Sequence, residues 1–274
     1  MNHAQHNHAG AAAFFDLDKT IIAKSSTLAF SKTFFDGGLL SRRAVLRSAY
    51  AQFVFAVSGA DHDQLEKMRA YLTEMVIGWD VEVVRQAVAE TLHTIIDPLV
   101  YDEAVQLIEQ HREEGRDIVI VSASGAEVVE PIGAMLGADH VIATRLNEKD
   151  GRYTGEIEFY AYGGNKAKAI EALAAERGYD LAQSYAYSDS ETDAPMLTVV
   201  GHPFAVNPDK SLRKIATDNG WPILAFARPV ALRPRLALDT RAAKIAAGSA
   251  IFGAVSAIAF TLVLRKKGSS LSRT

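Results

Sequence analysis

Residues 11–20 read AAAFFDLDKT: an apolar run that breaks into two aspartates, Asp16 and Asp18, followed by Lys19 and Thr20. Short apolar runs bounded by polar residues predict buried parallel strands. In open α/β sheets, ligand chemistry sits just beyond the carboxyl ends of such strands. Two carboxylates one residue apart at that place repel each other unless a cation neutralises them. Hard divalent cations take oxygen ligands, and Mg²⁺ typically uses one or two carboxylates together with phosphate oxygens. An Asp-rich turn satisfies the same residues when the motif stands alone, so the remainder of the chain decides the reading.

The strand pattern returns further on. DIVIV at residues 117–121 ends at Ser122-Ala123-Ser124-Gly125, and residues 184–187 end at Ser188-Asp189-Ser190-Glu191-Thr192-Asp193. Residues 203–206 predict a fourth short strand, and 140–145 with 153–159 predict a hairpin around Lys149-Asp150-Gly151. Between them lie helical patterns. Asp97-Pro98 reads as an N-cap with proline at the first helical position, closed by Gly115. A helix through Met135 carries Pro131 in its first turns; helices at 165–177 and near 210–218 follow. Alternating strands and helices predict an α/β, doubly wound parallel sheet. From residue 39 to 96 no strand run occurs. Amphipathic stretches at 40–57, 65–77 and 81–96, the last two preceded by Asp61 and Asp80 as candidate N-caps, predict an all-helical insertion able to cover the end of the first strand.

Composition narrows the classes. A 274-residue chain buries a sizeable core, and 49% hydrophobic with 23% charged residues is ordinary for a globular protein. A net charge of −4 gives no support for a nucleic-acid partner. The absence of cysteine excludes disulfides, thiolate zinc sites and a cysteine nucleophile, and fits a reducing interior. Residues 1–10 contain His3, His6 and His8 without Lys or Arg, a polar tail rather than a secretory signal. Pro222, Pro229 and Pro234 mark a linker at 221–244. Residues 245–264, IAAGSAIFGAVSAIAFTLVL, then carry no charge, and as a helix would extend roughly 30 Å, about the thickness of a bilayer core. Lys244 and Arg265-Lys266-Lys267 flank this stretch, and Ser249, Gly253 and Ala257 recur four apart, as at close helix contacts in membranes. The expectation is a transmembrane helix tethering a cytoplasmic catalytic domain to the cytoplasmic membrane; a buried terminal core helix or an oligomerising tail is the alternative.

Three strand ends thus carry complementary groups: Asp16 and Asp18, Ser122, and Asp189 with Asp193, with Lys166 at a helix start ahead of the third. In this order the pieces resemble the haloacid dehalogenase superfamily of phosphatases over about residues 11–220, and the helical insertion resembles the cap of its phosphoserine-phosphatase-like branch. The resemblance implies a core of 11–22 and 97–220 with a cap at 23–96. It further implies Asp16 as a nucleophile that forms an aspartyl-phosphate, and Asp18 as the acid and then the base. Mg²⁺ would be bound by Asp16, the Asp18 backbone carbonyl and Asp189, with Asp193 in or just behind that shell. Ser122 and Lys166 would hold the phosphoryl oxygens, and Thr20 would order the first loop. Lys168 rivals Lys166, two residues away.

Departures from the pattern bear on substrate. Phosphoserine phosphatases carry a glutamate after the first motif; here the position falls near Ser25, and Ala23-Lys24-Ser25-Ser26 offers no acid. Arg42, Arg43 and Arg47 on the first insertion helix are candidates to meet an anion or to form a solvated face. With the apolar tail, this favours a phospholipid or other membrane-associated phosphate monoester as substrate partner. Phosphoserine or another small soluble metabolite is the second reading, and a non-catalytic membrane-tethered binding module on the same fold is the third.

Overall fold

The computed structural model describes residues 10–39, 73–227 and Pro229. The predicted helices at 40–57 and most of 65–77, Arg42, Arg43, Arg47, Asp61, the histidines of the amino-terminal tail, the linker beyond residue 229 and the apolar stretch 245–264 lie outside the described residues. Among the described residues no helix is long and apolar enough to cross a membrane.

The first strand, β1 (Ala12–Asp16), is buried along its whole length, as an all-apolar run flanked by strands on both sides requires. Among the described residues it is the central strand of a seven-stranded sheet in the order β4-β3-β2-β1-β5-β6-β7. The partners are β2 (Asp117–Gly125), β3 (His140–Lys149), β4 (Arg152–Phe159), β5 (Tyr185–Ser188), β6 (His202–Val206) and β7 (Ile223–Leu224). All pairings are parallel except β3 with β4. That hairpin closes at Asp150-Gly151, whose φ of 52° and 73° match the left-handed conformation that a two-residue turn demands.

Register brings the motifs to one edge. Asp16 pairs with Val121, one residue before Ser122, and Phe15 pairs with Tyr187, two residues before Asp189. The parallel pairing therefore delivers the ends of β1, β2 and β5 together, where the strand order switches to either side of β1.

Side chains alternate between the sheet's two faces. Ala12 and Phe14 join Val119, Val121, Ala186 and Ala205 in a core shared with Ile170 and Ala174 of a helix at Gly164–Arg177. On the other face Phe15 stacks on Tyr187 with centroids 4.6 Å apart and meets His111 edge-on. His111 belongs to a helix at Asp102–Glu113.

Two sequence expectations change. Asp97 and Pro98 do not open a helix: they form a short 3₁₀ turn (Asp97–Leu99) continuing from the helix Val81–Ile96, and the next helix starts at Asp102 after Tyr101. The Asp97 carboxylate is engaged by His93 Nδ1 one turn back at 3.1 Å, and so does not cap forward. The linker expected from 221 is also displaced. Pro222 contributes its carbonyl to Ala205 N at 3.0 Å, and Ile223–Leu224 adds β7 beside β6. Proline is tolerated at the start of an edge strand. Asp80 caps its helix as expected, accepting from the amides of Glu82 and Val83.

His111 supplies a pH test of this packing. An Arg116 guanidinium N–H donates to its Nδ1 at 2.9 Å, so the ring proton sits on Nε2 and points to Tyr187 OH at 2.8 Å. Burial, reinforced by Arg116, lowers its pKa to about 4. The unfolded chain takes up a proton near the ordinary value of about 6.5 that the folded chain refuses. This contribution to stability is therefore complete above that pH and is lost between there and about pH 4. The expected loss is about 3 kcal/mol, read as the difference in urea unfolding between wild type and His111→Gln across that window.

Candidate active site

Asp16 is the last residue of β1, and the chain then turns sharply. Leu17 O accepts from the amides of Ile21 and Ile22 at 3.0 and 3.1 Å, and Lys19 takes a left-handed φ of 64°. This tight turn keeps Asp16 and Asp18 in one loop with different surroundings.

Asp16 is held by a cation. Lys166 Nζ donates to Asp16 Oδ1 and to Asp193 Oδ2, each at 2.7 Å, and Ser188 Oγ donates to the same Asp193 oxygen at 2.7 Å. Lys166 enters in the first turn of the helix Gly164–Arg177, after Gly163 adopts a φ of 55° and ψ of −130° that a side chain would resist. Lys166 is only 2% exposed, whereas Lys168 is exposed: of the two rival lysines it is Lys166 that lies against Asp16 and Asp193.

Asp18 is held by neutral donors. Ser26 N donates to its Oδ1 at 2.6 Å and Ser124 Oγ to its Oδ2 at 2.8 Å. Ser26 opens a short helix at Ser26–Ala29, and Ser124 lies near the end of β2. Ser122 is buried, and its Oγ accepts from Ser124 N at 3.2 Å. Thr20 is buried too, and its hydroxyl has no hydrogen-bond partner among the described residues. Asp189 follows β5 directly; its carbonyl accepts from Asp209 N at 2.9 Å, while the Asp209 carboxylate accepts from Glu191 N and Leu212 N.

Ser26, Ser124, Ser188 and Asp209 join the site without standing among the residues that the sequence predicts for it. Two of them carry a local signal: Ser124 stands two residues from Ser122 in a strand, a spacing that shares one face, and Asp209 precedes a helix as an N-cap.

The electrostatics show a deficit of positive charge. Burial raises the Asp16 pKa well above the carboxylate norm; Lys166 opposes this, while Asp193, Asp189 and Asp18 add to it. Burial likewise pushes Asp189 up to about 7, against Lys19 and with Asp193. Burial pulls Lys166 downward, but Asp16 and Asp193 outweigh it and its pKa is raised, so it stays charged. One buried ammonium cannot neutralise so many carboxylates.

The site's fit to a metal follows from its donors. Among the described residues no three His, Cys, Asp or Glu side chains form a ready-made metal cluster. Asp16 and Asp193 each give an oxygen to Lys166, and both oxygens of Asp18 are engaged by Ser26 and Ser124. These contacts leave the Asp18 backbone carbonyl untouched and occupy only one oxygen each of Asp16 and Asp193, so they are compatible with Asp16, the Asp18 carbonyl and Asp189 as ligands and Asp193 in or just behind that shell. Asp16 and Asp189 are then an all-oxygen, negatively charged pair. That set suits a hard cation which uses few carboxylates and keeps several waters.

The residue types, their order and their convergence identify the family. The profile of haloacid dehalogenase-like hydrolases matches residues 13–198. The chain belongs to that family. It is 64% identical over 84% of its length to an inhibition of morphological differentiation protein of Streptomyces azureus, covering 84% of that relative. It is 58% identical over 94% of its length to a probable phosphatase of Mycobacterium tuberculosis, covering 90% of it. The fold is similar to that of a phosphoserine phosphatase solved with a phospho-aspartyl intermediate analogue, with a TM-score of 0.58 at 20% identity, covering 82% of this chain and 97% of that one.

The Lys166 bridge is testable as a stability element. Lys166→Met leaves two buried carboxylates without their partner, and breaking such a buried pair costs about 3–5 kcal/mol. Urea unfolding at neutral pH in the presence of a chelator is expected to show that loss. It should shrink as the pH falls and Asp16, whose pKa is raised, takes up a proton instead.

Proposed function

We propose that this phosphoric monoester hydrolase works through an aspartyl-phosphate on Asp16, with Asp18 moving the protons and a Mg²⁺ ion bound by Asp16, the Asp18 carbonyl and Asp189. The observation that carries this reading is the Lys166 ammonium, 2.7 Å from both Asp16 and Asp193, at the converged ends of β1 and β5. A site that takes a phosphoryl group requires such a cation to spread its charge.

The residues divide the work. Lys166 occupies Asp16 Oδ1, which leaves Oδ2 to attack phosphorus. As the phosphorus–ester oxygen bond breaks, Asp18 delivers a proton to the departing alkoxide. The same carboxylate then removes a proton from the water that attacks the acyl-phosphate, releasing inorganic phosphate and restoring Asp16. Ser122, buried at the end of β2, donates to the phosphoryl oxygens, and Lys166 balances their charge. Asp193 holds Lys166 in place and Ser188 holds Asp193. When bound, Mg²⁺ polarises a phosphoryl oxygen and keeps Asp16 ionised against its burial.

For the substrate, the reading rests on two sequence features. The stretch around Ser25 provides no acid to recognise an amino group, and residues 245–264 are apolar enough to anchor the chain. We assign a phosphate monoester presented at the cytoplasmic face of the cytoplasmic membrane, a lipid phosphate being the simplest case. A small soluble metabolite such as phosphoserine is the second reading, favoured by the fold shared with a phosphoserine phosphatase.

Phosphate release by Asp16→Asn is expected to fall at least about a thousandfold, and wild-type release by that variant would end the mechanism. Chelation should abolish activity of the wild type, Mg²⁺ should restore it, and saturating Mg²⁺ should raise the melting temperature, an effect lost in Asp189→Asn. The tether is checked by carbonate extraction of membranes: the full chain stays with the lipid, whereas release into the supernatant rejects insertion.

A further inference from the structure

The Asp18 carboxylate is bound at both oxygens by groups from two separate elements, and the hydroxyl protons around it have only one consistent arrangement. Ser124 Oγ donates to Asp18 Oδ2 at 2.8 Å. A serine hydroxyl has a single proton, so the contacts of Ser124 Oγ with Ser26 Oγ at 3.0 Å and Thr27 Oγ1 at 3.1 Å are both ones that Ser124 accepts. Those two donations fill its lone pairs and leave its proton no direction but Asp18. The backbone of Ser124 is fixed as well, through its amide to Ser122 Oγ at 3.2 Å. Ser26 contributes twice, by its amide to Asp18 Oδ1 at 2.6 Å and by its hydroxyl to Ser124. Both serines are buried, 0% and 8% exposed, so water does not compete at the centre of this knot.

We propose that Ser124 is a positioning residue for Asp18: its locked hydroxyl fixes the rotamer in which that carboxylate reaches the leaving-group oxygen. Ser26 and Thr27 act through Ser124 by locking its proton. The inference rests on Asp18 serving as the acid, as proposed above. A carboxylate with one oxygen released samples other staggered rotamers, and a misplaced proton donor loses part of the 10²–10⁴-fold that positioned acid catalysis supplies.

Leaving-group dependence separates this role from a structural one. Proton delivery matters when a strongly basic alkoxide departs and matters little when a weakly basic nitrophenolate departs. We therefore compare kcat/KM for β-glycerophosphate and p-nitrophenyl phosphate in the full chain with Mg²⁺. Ser124→Ala is expected to lose about tenfold on the alkyl ester and less than about threefold on the aryl ester. Ser124→Thr, which keeps the hydroxyl, is expected to recover the alkyl ester to within about threefold of wild type. Ser26→Ala keeps the amide but removes one lock, and should shift the ratio in the same direction by less.

Asp18→Asn is the reference, with a larger selective loss on the alkyl ester. If it shows that loss while Ser124→Ala loses equally on both esters, or on neither, the positioning role is overturned. If Asp18→Asn itself is unselective, the acid assignment fails first, and the role of Ser124 falls with it.

Discussion

A single buried ammonium between two carboxylates is the constraint on which the site depends. Lys166 lies 27 residues before Asp193 and 150 after Asp16 along the chain, yet both oxygens are 2.7 Å from its Nζ. Ions taken out of water cost several kcal/mol each, and their attraction offsets that cost only when geometry and further hydrogen bonds are good. Here Ser188 supplies the further bond to Asp193. The arrangement adds little net stability compared with an apolar core. Its consequence is positional: Asp16 is held at one oxygen while the other stays available.

The sheet makes that arrangement reproducible. β1 is central, buried on both faces and clamped by β2 and β5, so its last residue cannot move without disturbing Phe14 and Phe15. Phe15 is fixed by the stacked Tyr187 and by His111, whose neutral tautomer is set by Arg116. Close-packed interiors transmit small displacements rather than absorbing them. The polar network of His111, Arg116 and Tyr187 therefore bears on the position of Asp16.

Much of this was legible in the sequence because strand ends announce themselves. The apolar runs into Asp16, Ser122 and Asp189 located three parallel strands, and their common edge follows from register once the strands pair. Lys166 could be preferred to Lys168 only through family spacing; burial separates the two, and burial depends on a fold that no local window contains. Asp97-Pro98 misled because an N-cap signal is also satisfied by a 3₁₀ turn when His93, one turn back, takes the carboxylate. β7 was hidden behind Pro222, since a two-residue edge strand has no periodicity to detect. Ser26 and Ser124 carried no signal as a pair: they are 98 residues apart, and serines at the starts of helices and the ends of strands are common.

The deepest regularity is the contrast between Asp16 and Asp18, identical residues separated by one leucine. Leu17 is fully buried and Lys19 is left-handed, so the loop turns one carboxylate toward the ammonium and the other toward amide and hydroxyl donors. A carboxylate that attacks phosphorus must be ionised, and Lys166 works in that direction against the burial and the neighbouring carboxylates that raise the Asp16 pKa. A proton carrier must gain and lose a proton within each cycle, which a formal cation in contact would oppose. Neutral donors orient such a carboxylate without committing its charge. In the proposed mechanism, environments that differ in this way let two acids of the same kind take opposite parts, and here the difference is built from the turn after Asp16 and from Ser26 and Ser124.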